Sequence, residues 1–177
     1  IALLDGAALD LEQFWQKIFA AQQNIFHACS EDIDLIYHYA DHKPLNNVFD
    51  TQVAMAFLGH GLQVSYQNAL KTCLDIDIDK DQTRSDWLAR PLSQEQINYA
   101  ANDVLYLTRL AETLKNDLQS KGLYQYVLDD CQNLTKEIAI ETPLAELYTD
   151  IGNYRHSRRE LMQLQQLCIW REQITRA

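Results

Sequence analysis

The sequence predicts an α/β fold, with a partial sheet in its amino-terminal part and a helix-rich carboxy-terminal part. Three observations carry that expectation. Short apolar runs at residues 1–5 (IALLD), 24–29 (NIFHAC) and 48–49 are separated by amphipathic segments, the signature of a β-α-β layer. From residue 65 onward a helical period dominates the apolar positions. Only five Gly and three Pro occur in 177 residues, which leaves little chain for flexible linkers.

Each element has a local reason. Residues 1–5 end at the turn signal Asp5-Gly6 and read as a buried strand. In residues 11–20, Leu11, Phe14, Trp15, Ile18 and Phe19 fall on one helical stripe. Residues 24–29 read as a second strand. Ser30 suits the N-cap of a helix over 31–40, whose Glu31 and Asp32 favour the positive end of the helix dipole. Lys43-Pro44 ends it. A very short third strand at 48–49 leads to a helix capped by Asp50 or Thr51, running to Leu58 and closed by Gly59 and Gly61. Residues 65–74 form an amphipathic helix, 75–81 (DIDIDKD) an acidic connector, and 85–89 a short helix stopped before Pro91.

Ser93-Gln-Glu-Gln96 is a capping box. It opens the longest predicted helix, 94–120, closed by Gly122. Further helices are expected at 123–138 and 144–151. Gly152-Asn153 breaks the chain, and a last helix starts near Ser157. Two or three short strands do not make a stable sheet alone, so the rest of the sheet is expected outside this sequence. Ile1 is not Met, and the chain is expected to begin inside a longer protein.

Hydrophobic residues make up 47% and charged residues 23%, a globular profile. No apolar run reaches the ~20 residues of a membrane span. The four cysteines, Cys29, Cys73, Cys131 and Cys168, form no CxxC pair and sit among apolar neighbours. They read as reduced, mostly buried thiols of a cytoplasmic protein. The net charge of −10 argues against nucleic acid, which calls for a basic footprint. Carboxylates that hold cations reverse their local sign, and part of the basic surface is expected beyond this sequence.

Two groups of residues carry candidate chemistry. Tyr99 and Asp103 are four apart on one helix face. A carboxylate there can bind a divalent cation while the phenol orients a water. Asp32 stands where a strand ends and a helix begins, the edge at which α/β layers place active sites. Taken singly, each also fits an ordinary surface Asp or a half-buried Tyr.

Four stretches change that balance: HACSEDIDLI at 27–36, FDTQVAMAFLGHG at 49–61, KDQTRSDWLARPL at 80–92 and SQEQINYAANDVLYL at 93–107. In order and spacing they resemble the ribonuclease D family of 3′→5′ exoribonucleases, the DEDDy group. The resemblance covers residues 1–131 and implies a ribonuclease H-like exonuclease fold. It implies metal ligands at Asp32 and Asp103, a catalytic role for Asp32, Tyr99 and Asp103, and two Mg²⁺ or Mn²⁺ ions in the intact site. The family's Asp-x-Glu strand has no counterpart and would precede residue 1. Asp10-Leu11-Glu12 has the letters but lies on an amphipathic helix. The chain alone is therefore expected to be inactive. RNA with a free 3′ end, tRNA precursors above all, is the implied partner.

Other residues have smaller roles. Arg84 and Arg90, flanking Trp87, are candidate RNA contacts; Trp87 itself reads as core, and Arg90 as substrate or scaffold contact. His27 reads as a structural histidine, and His38 and His42 as an ordinary pair on a fraying helix. The Arg-rich tail from Tyr154 places Leu161, Leu164, Leu167, Cys168 and Trp170 along one helix. It resembles the first helix of an HRDC domain. The implied division is a partial exonuclease domain at 1–135, linker helices at 136–156 and the HRDC-like helix at 157–177. A DNA 3′→5′ exonuclease of the same group, and a nuclease-like module that has lost catalysis, are the alternatives.

Overall fold

A computed structural model describes residues 11–78, 85–140 and 143–175. The strand expected at 1–5, Asp10, and Arg84 lie outside the described residues. The chain divides after Ala139 into two compact units.

In the first unit, α1 (Glu12–Ala20) precedes β1 (Asn24–Phe26), α2 (Ser30–Tyr39), β2 (Val48–Asp50), α3 (Thr51–Phe57), α4 (Tyr66–Leu74), α5 (Gln94–Leu105), α6 (Leu107–Ser120) and α7 (Tyr124–Ile138). Strands β1 and β2 pair in parallel, Ile25 opposite Phe49, with α2 as the crossover. Glu12 is the first residue of α1, where its carboxylate accepts a hydrogen bond from Gln16, a helix-surface role.

The core forms where helices cover this ribbon. Helix α6 buries Leu110, Ala111, Leu114 and Leu118, and packs on α3, α4 and β1. Helix α7 buries Val127, Cys131 and Thr135 at four-residue spacing and packs on β2. Phe49 of β2 is fully buried. All four cysteines are free. Burial and the Asp50 charge raise the Cys29 thiol, and burial pushes Cys131 up to about 11, so both stay protonated.

Local signals hold at several ends. Asp50 caps α3 through the Gln52 amide, Ser65 caps α4, and the Ser93–Gln96 box closes in both directions. Gly59 takes the positive φ of 87° that ends the α3 turn.

Five expectations are corrected. Strand β1 stops at Phe26, because Ala28 turns into the left-handed region at φ 60°. Ser30 is the first residue of α2 rather than its cap; Cys29 holds the cap position with no side-chain bond. Instead, Asp50 reaches across from β2 and accepts from the Ala28 and Cys29 amides at 3.0 and 2.8 Å. Residues 85–89 form turns, not a helix. There Leu88 N–H binds the Asp86 carboxylate, and Gln96 Nε2 ties Ser85 Oγ and the Asp86 carbonyl, side chains that compete with helical bonding.

The long helix breaks at Tyr106, whose φ of −101° and ψ of 0° separate α5 from α6. Finally, only Leu147–Asp150, a 3₁₀ turn, is helical within 144–151.

The second unit, residues 140–177, pairs that turn with α8 (Arg158–Thr175). Ser157 and Glu160 exchange capping bonds at its start. Gly152 is needed where the two meet, since a Cβ there would lie 2.8 Å from Leu161 Cδ2 and 2.9 Å from the Tyr148 carbonyl. Cys168 is buried and Leu161 and Leu164 are half-buried, but Leu167 and Trp170 lie on the opposite, exposed face with Met162. The expected single stripe is thus two faces.

Asp50 is 2% exposed and satisfies three amides. Removing it strands those donors, each at about 1–3 kcal/mol. Asp50→Ala is expected to lower unfolding free energy by about 3 kcal/mol or more, read by urea denaturation; a loss under ~1 kcal/mol would contradict this packing.

Candidate active site

The carboxyl end of β1 turns into α2 at 27–29, and that turn is held from three sides. Asp50 Oδ1 and Oδ2 hold the Ala28 and Cys29 amides. The buried Thr51 hydroxyl lies 2.9 Å from both the Phe26 carbonyl and His27 Nδ1. His27 Nε2 lies 2.9 Å from the Val64 carbonyl, which also accepts from Gln52. A carbonyl only accepts, so Nε2 carries a proton. Burial lowers the His27 pKa, against the raising effects of the Val64 bond and Asp50. The neutral ring carries its hydrogen on Nε2, and its Nδ1 stands beside the Thr51 hydroxyl, which donates to the Phe26 carbonyl. His27 is the structural histidine expected of it, and it fastens the 59–65 loop to β1.

This scaffold shapes a cavity of about 550 Å³ walled by Ile25, Phe26, His27, Asp32, Tyr66, Asp103, Val104 and Leu107. Asp32 comes from the first turn of α2 and Asp103 from the last turn of α5. Among the described residues, neither carboxylate has a hydrogen-bond or ion-pair partner. Asp32 keeps an exposed side, yet its carboxyl is raised by partial burial, then by the charges of Glu31 and Asp50. Asp103 is half-buried and raised by burial alone. Tyr66 is raised by burial, with the Tyr106 backbone opposing and Asp103 adding.

Two hard oxygen donors with uncompensated negative charge fit a divalent cation. No group of three or more His, Cys, Asp or Glu among the described residues is placed to hold a metal, so Asp32 and Asp103 fit as part of a ligand set. His38 stands 3.4 Å from Asp34, with its ring 5.6 Å from that of His42, and belongs to no such group.

Other expected site residues lie elsewhere. Tyr99 sits one turn before Asp103 on α5, but its ring rests 5.9 Å from Trp87 and is not part of the cavity wall. Trp87 is half-buried rather than core. Arg90 Nη1 donates to the Trp87 and Ala89 carbonyls, both at 2.9 Å, and braces its own loop. Tyr66, in the wall, went unnoticed in the sequence; its one signal was its place directly after the Ser65 cap.

A sequence profile described as 3′-5′ exonuclease matches residues 3–119. The chain belongs to the 3′-5′ exonuclease family. This exonuclease chain is similar to Ribonuclease D of Psychromonas ingrahamii, 37% identical over 175 residues, covering 97% of this chain and 46% of the relative. It is likewise similar to Ribonuclease D of Pseudomonas paraeruginosa, 37% identical over 153 residues, covering 86% and 40%. The chain thus spans about half the length of the curated relatives it matches.

The crystal structure of Escherichia coli RNase D, an exoribonuclease involved in structured RNA processing, superposes with a TM-score of 0.79 at 28% identity. It covers 95% of this chain and 45% of that one. Brucella melitensis NrnC bound to pGG matches with a TM-score of 0.64 at 27% identity, over 80% of this chain and 68% of that one. The α/β exonuclease fold expected from the sequence is the fold these neighbours share.

Raised carboxylate pKa values set a sign. Such groups favour the fold while protonated, and that contribution is lost as pH rises through their folded-state values. At neutral pH both therefore weaken the metal-free fold. Asp103→Asn is expected to raise the metal-free melting temperature at pH 7 while removing stabilisation by Mn²⁺, both read by thermal denaturation. A lower metal-free melting temperature would contradict the assignment.

Proposed function

We propose that this chain forms part of a metal-dependent 3′→5′ exoribonuclease of the ribonuclease D type, acting on RNA 3′ ends such as those of tRNA precursors. The observation that carries this reading is the convergence of Asp32 and Asp103, from separate helices, on one cavity in a 3′-5′ exonuclease chain. Their similarity in order and spacing to the family's second and third motifs supports the same roles. The cation is Mg²⁺ or Mn²⁺; the Mg²⁺-bound form of Brucella melitensis NrnC, 25% identical with a TM-score of 0.61, supports a divalent ion of this kind.

In the proposed mechanism Asp32 and Asp103 supply carboxylate oxygens to the cation, together with an Asp-x-Glu pair. Bound divalent cations supply Lewis acidity and stabilise charge on attacking and leaving oxygens. Tyr99, one turn before Asp103 on α5, is assigned to orient the attacking water by its place in the family's Tyr-x-x-x-Asp motif. The neutral His27 holds the β1–α2 turn so that Asp32 keeps its aim. Arg84 and Arg90 are assigned to the RNA path, Arg90 as a brace of the 85–92 loop. Four free cysteines fit a reducing compartment, the cytoplasm, and no helix among the described residues is long and apolar enough to cross a membrane. Residues 157–177 are assigned as an HRDC-like helix.

The test uses protein extending over the full length of the ribonuclease D relatives. It is expected to shorten single-stranded RNA from the 3′ end in Mn²⁺ and to prefer RNA over a matched DNA strand. Tyr99→Phe is expected to lower turnover by about 10²-fold or more with RNA affinity retained. Unchanged turnover would remove Tyr99 from the mechanism. Preference for DNA would favour the DNA exonuclease reading, and binding without hydrolysis the silent module.

A further inference from the structure

Tyr66 opens α4 directly after the Ser65 cap and is 8% exposed. Its ring stands 5.5 Å from that of His27, which two hydrogen bonds pin in place. Its hydroxyl is buried and has no hydrogen-bond partner of normal geometry among the described residues, although the Tyr106 backbone and the Asp103 carboxylate both act on it. Buried hydroxyls are nearly always paired, and a phenylalanine would fill the same space without a stranded polar atom. Asp103 has the matching deficit, a half-buried carboxylate with no partner in the same cavity wall. A donor lacking an acceptor thus stands near an acceptor lacking a donor, beside space for a cation.

We propose that Tyr66 is a positioning residue, whose phenol donates a hydrogen bond to the Asp103 carboxylate when that carboxylate holds a divalent cation. The proton stays on the phenol throughout. The Tyr106 backbone, at the α5–α6 break, approaches the hydroxyl and leaves its O–H free to turn toward Asp103. The bond fixes the carboxylate oxygen that does not face the ion, which sets the direction of the other. Partners of this kind tune ligands from behind. The inference rests on the nuclease reading above.

The test uses protein extending over the full length of the ribonuclease D relatives and follows Mn²⁺ binding by the electron paramagnetic resonance of free Mn²⁺, for the wild type, Tyr66→Phe, Asp103→Asn and the double variant, with metal-free melting temperatures alongside. Tyr66→Phe is expected to weaken Mn²⁺ binding by roughly 10–100-fold. Its metal-free melting temperature should be unchanged or higher, because a stranded hydroxyl is gone. In the Asp103→Asn background the same change should have no further effect on binding. Equal Mn²⁺ affinity of wild type and Tyr66→Phe would overturn the assignment, as would an undiminished effect without Asp103. Failure of the folded wild-type full-length protein to bind Mn²⁺ at all is a different result; it would overturn the nuclease reading and the role of Tyr66 with it.

Discussion

The buried Asp50 carboxylate bonds to its own helix start and to residues 22 and 21 positions before it in the chain. One oxygen accepts from the Ala28 and Gln52 amides, the other from the Cys29 amide. A buried carboxylate is costly unless its lone pairs are met, so the three amides and the charge fix one another. The consequence is geometric. The left-handed turn at Ala28 is held, α2 starts at Ser30, and Asp32 in its first turn faces the cavity. Thr51 and His27 extend the same clamp to β1 and to the loop ahead of α4, which places Tyr66.

The other half of the site depends on a backbone break. Helix α5 is fastened at its start by the Ser93–Gln96 box, and Gln96 also holds the preceding turn. At its end, Tyr106 interrupts the helix so that α6 can bury its own apolar stripe. Asp103, in the last turn of α5, lines the cavity together with Leu107 from the first turn of α6. The two converging carboxylates are a small part of the net charge of −10; a cation held between them would reverse the sign at the site alone.

Much of this was legible from local patterns. The capping box at Ser93–Gln96 and the Asp50 cap of α3 are short-range signals, and both formed as read. Asp32 and Asp103 were legible through their motifs and now share one cavity. What escaped reading is long-range. The Asp50 bonds to Ala28 and Cys29 span a strand pairing that no local window contains. The break at Tyr106 has no Gly or Pro to announce it; packing, not propensity, sets it. The 85–89 segment has helical composition, but side-chain bonds from Gln96 and Asp86 win its backbone. Tyr66 looks like any helix-opening aromatic until its hydroxyl is found buried beside Asp103.

In the function proposed here, Asp32 and Asp103 together hold a divalent cation in the cavity that Asp50 organises. Anomalous scattering from crystals soaked in Mn²⁺ tests it most directly. The account predicts a manganese peak in that cavity within about 2.0–2.4 Å of a carboxylate oxygen from each residue. A peak that touches neither, or manganese bound only elsewhere on the chain, would contradict it.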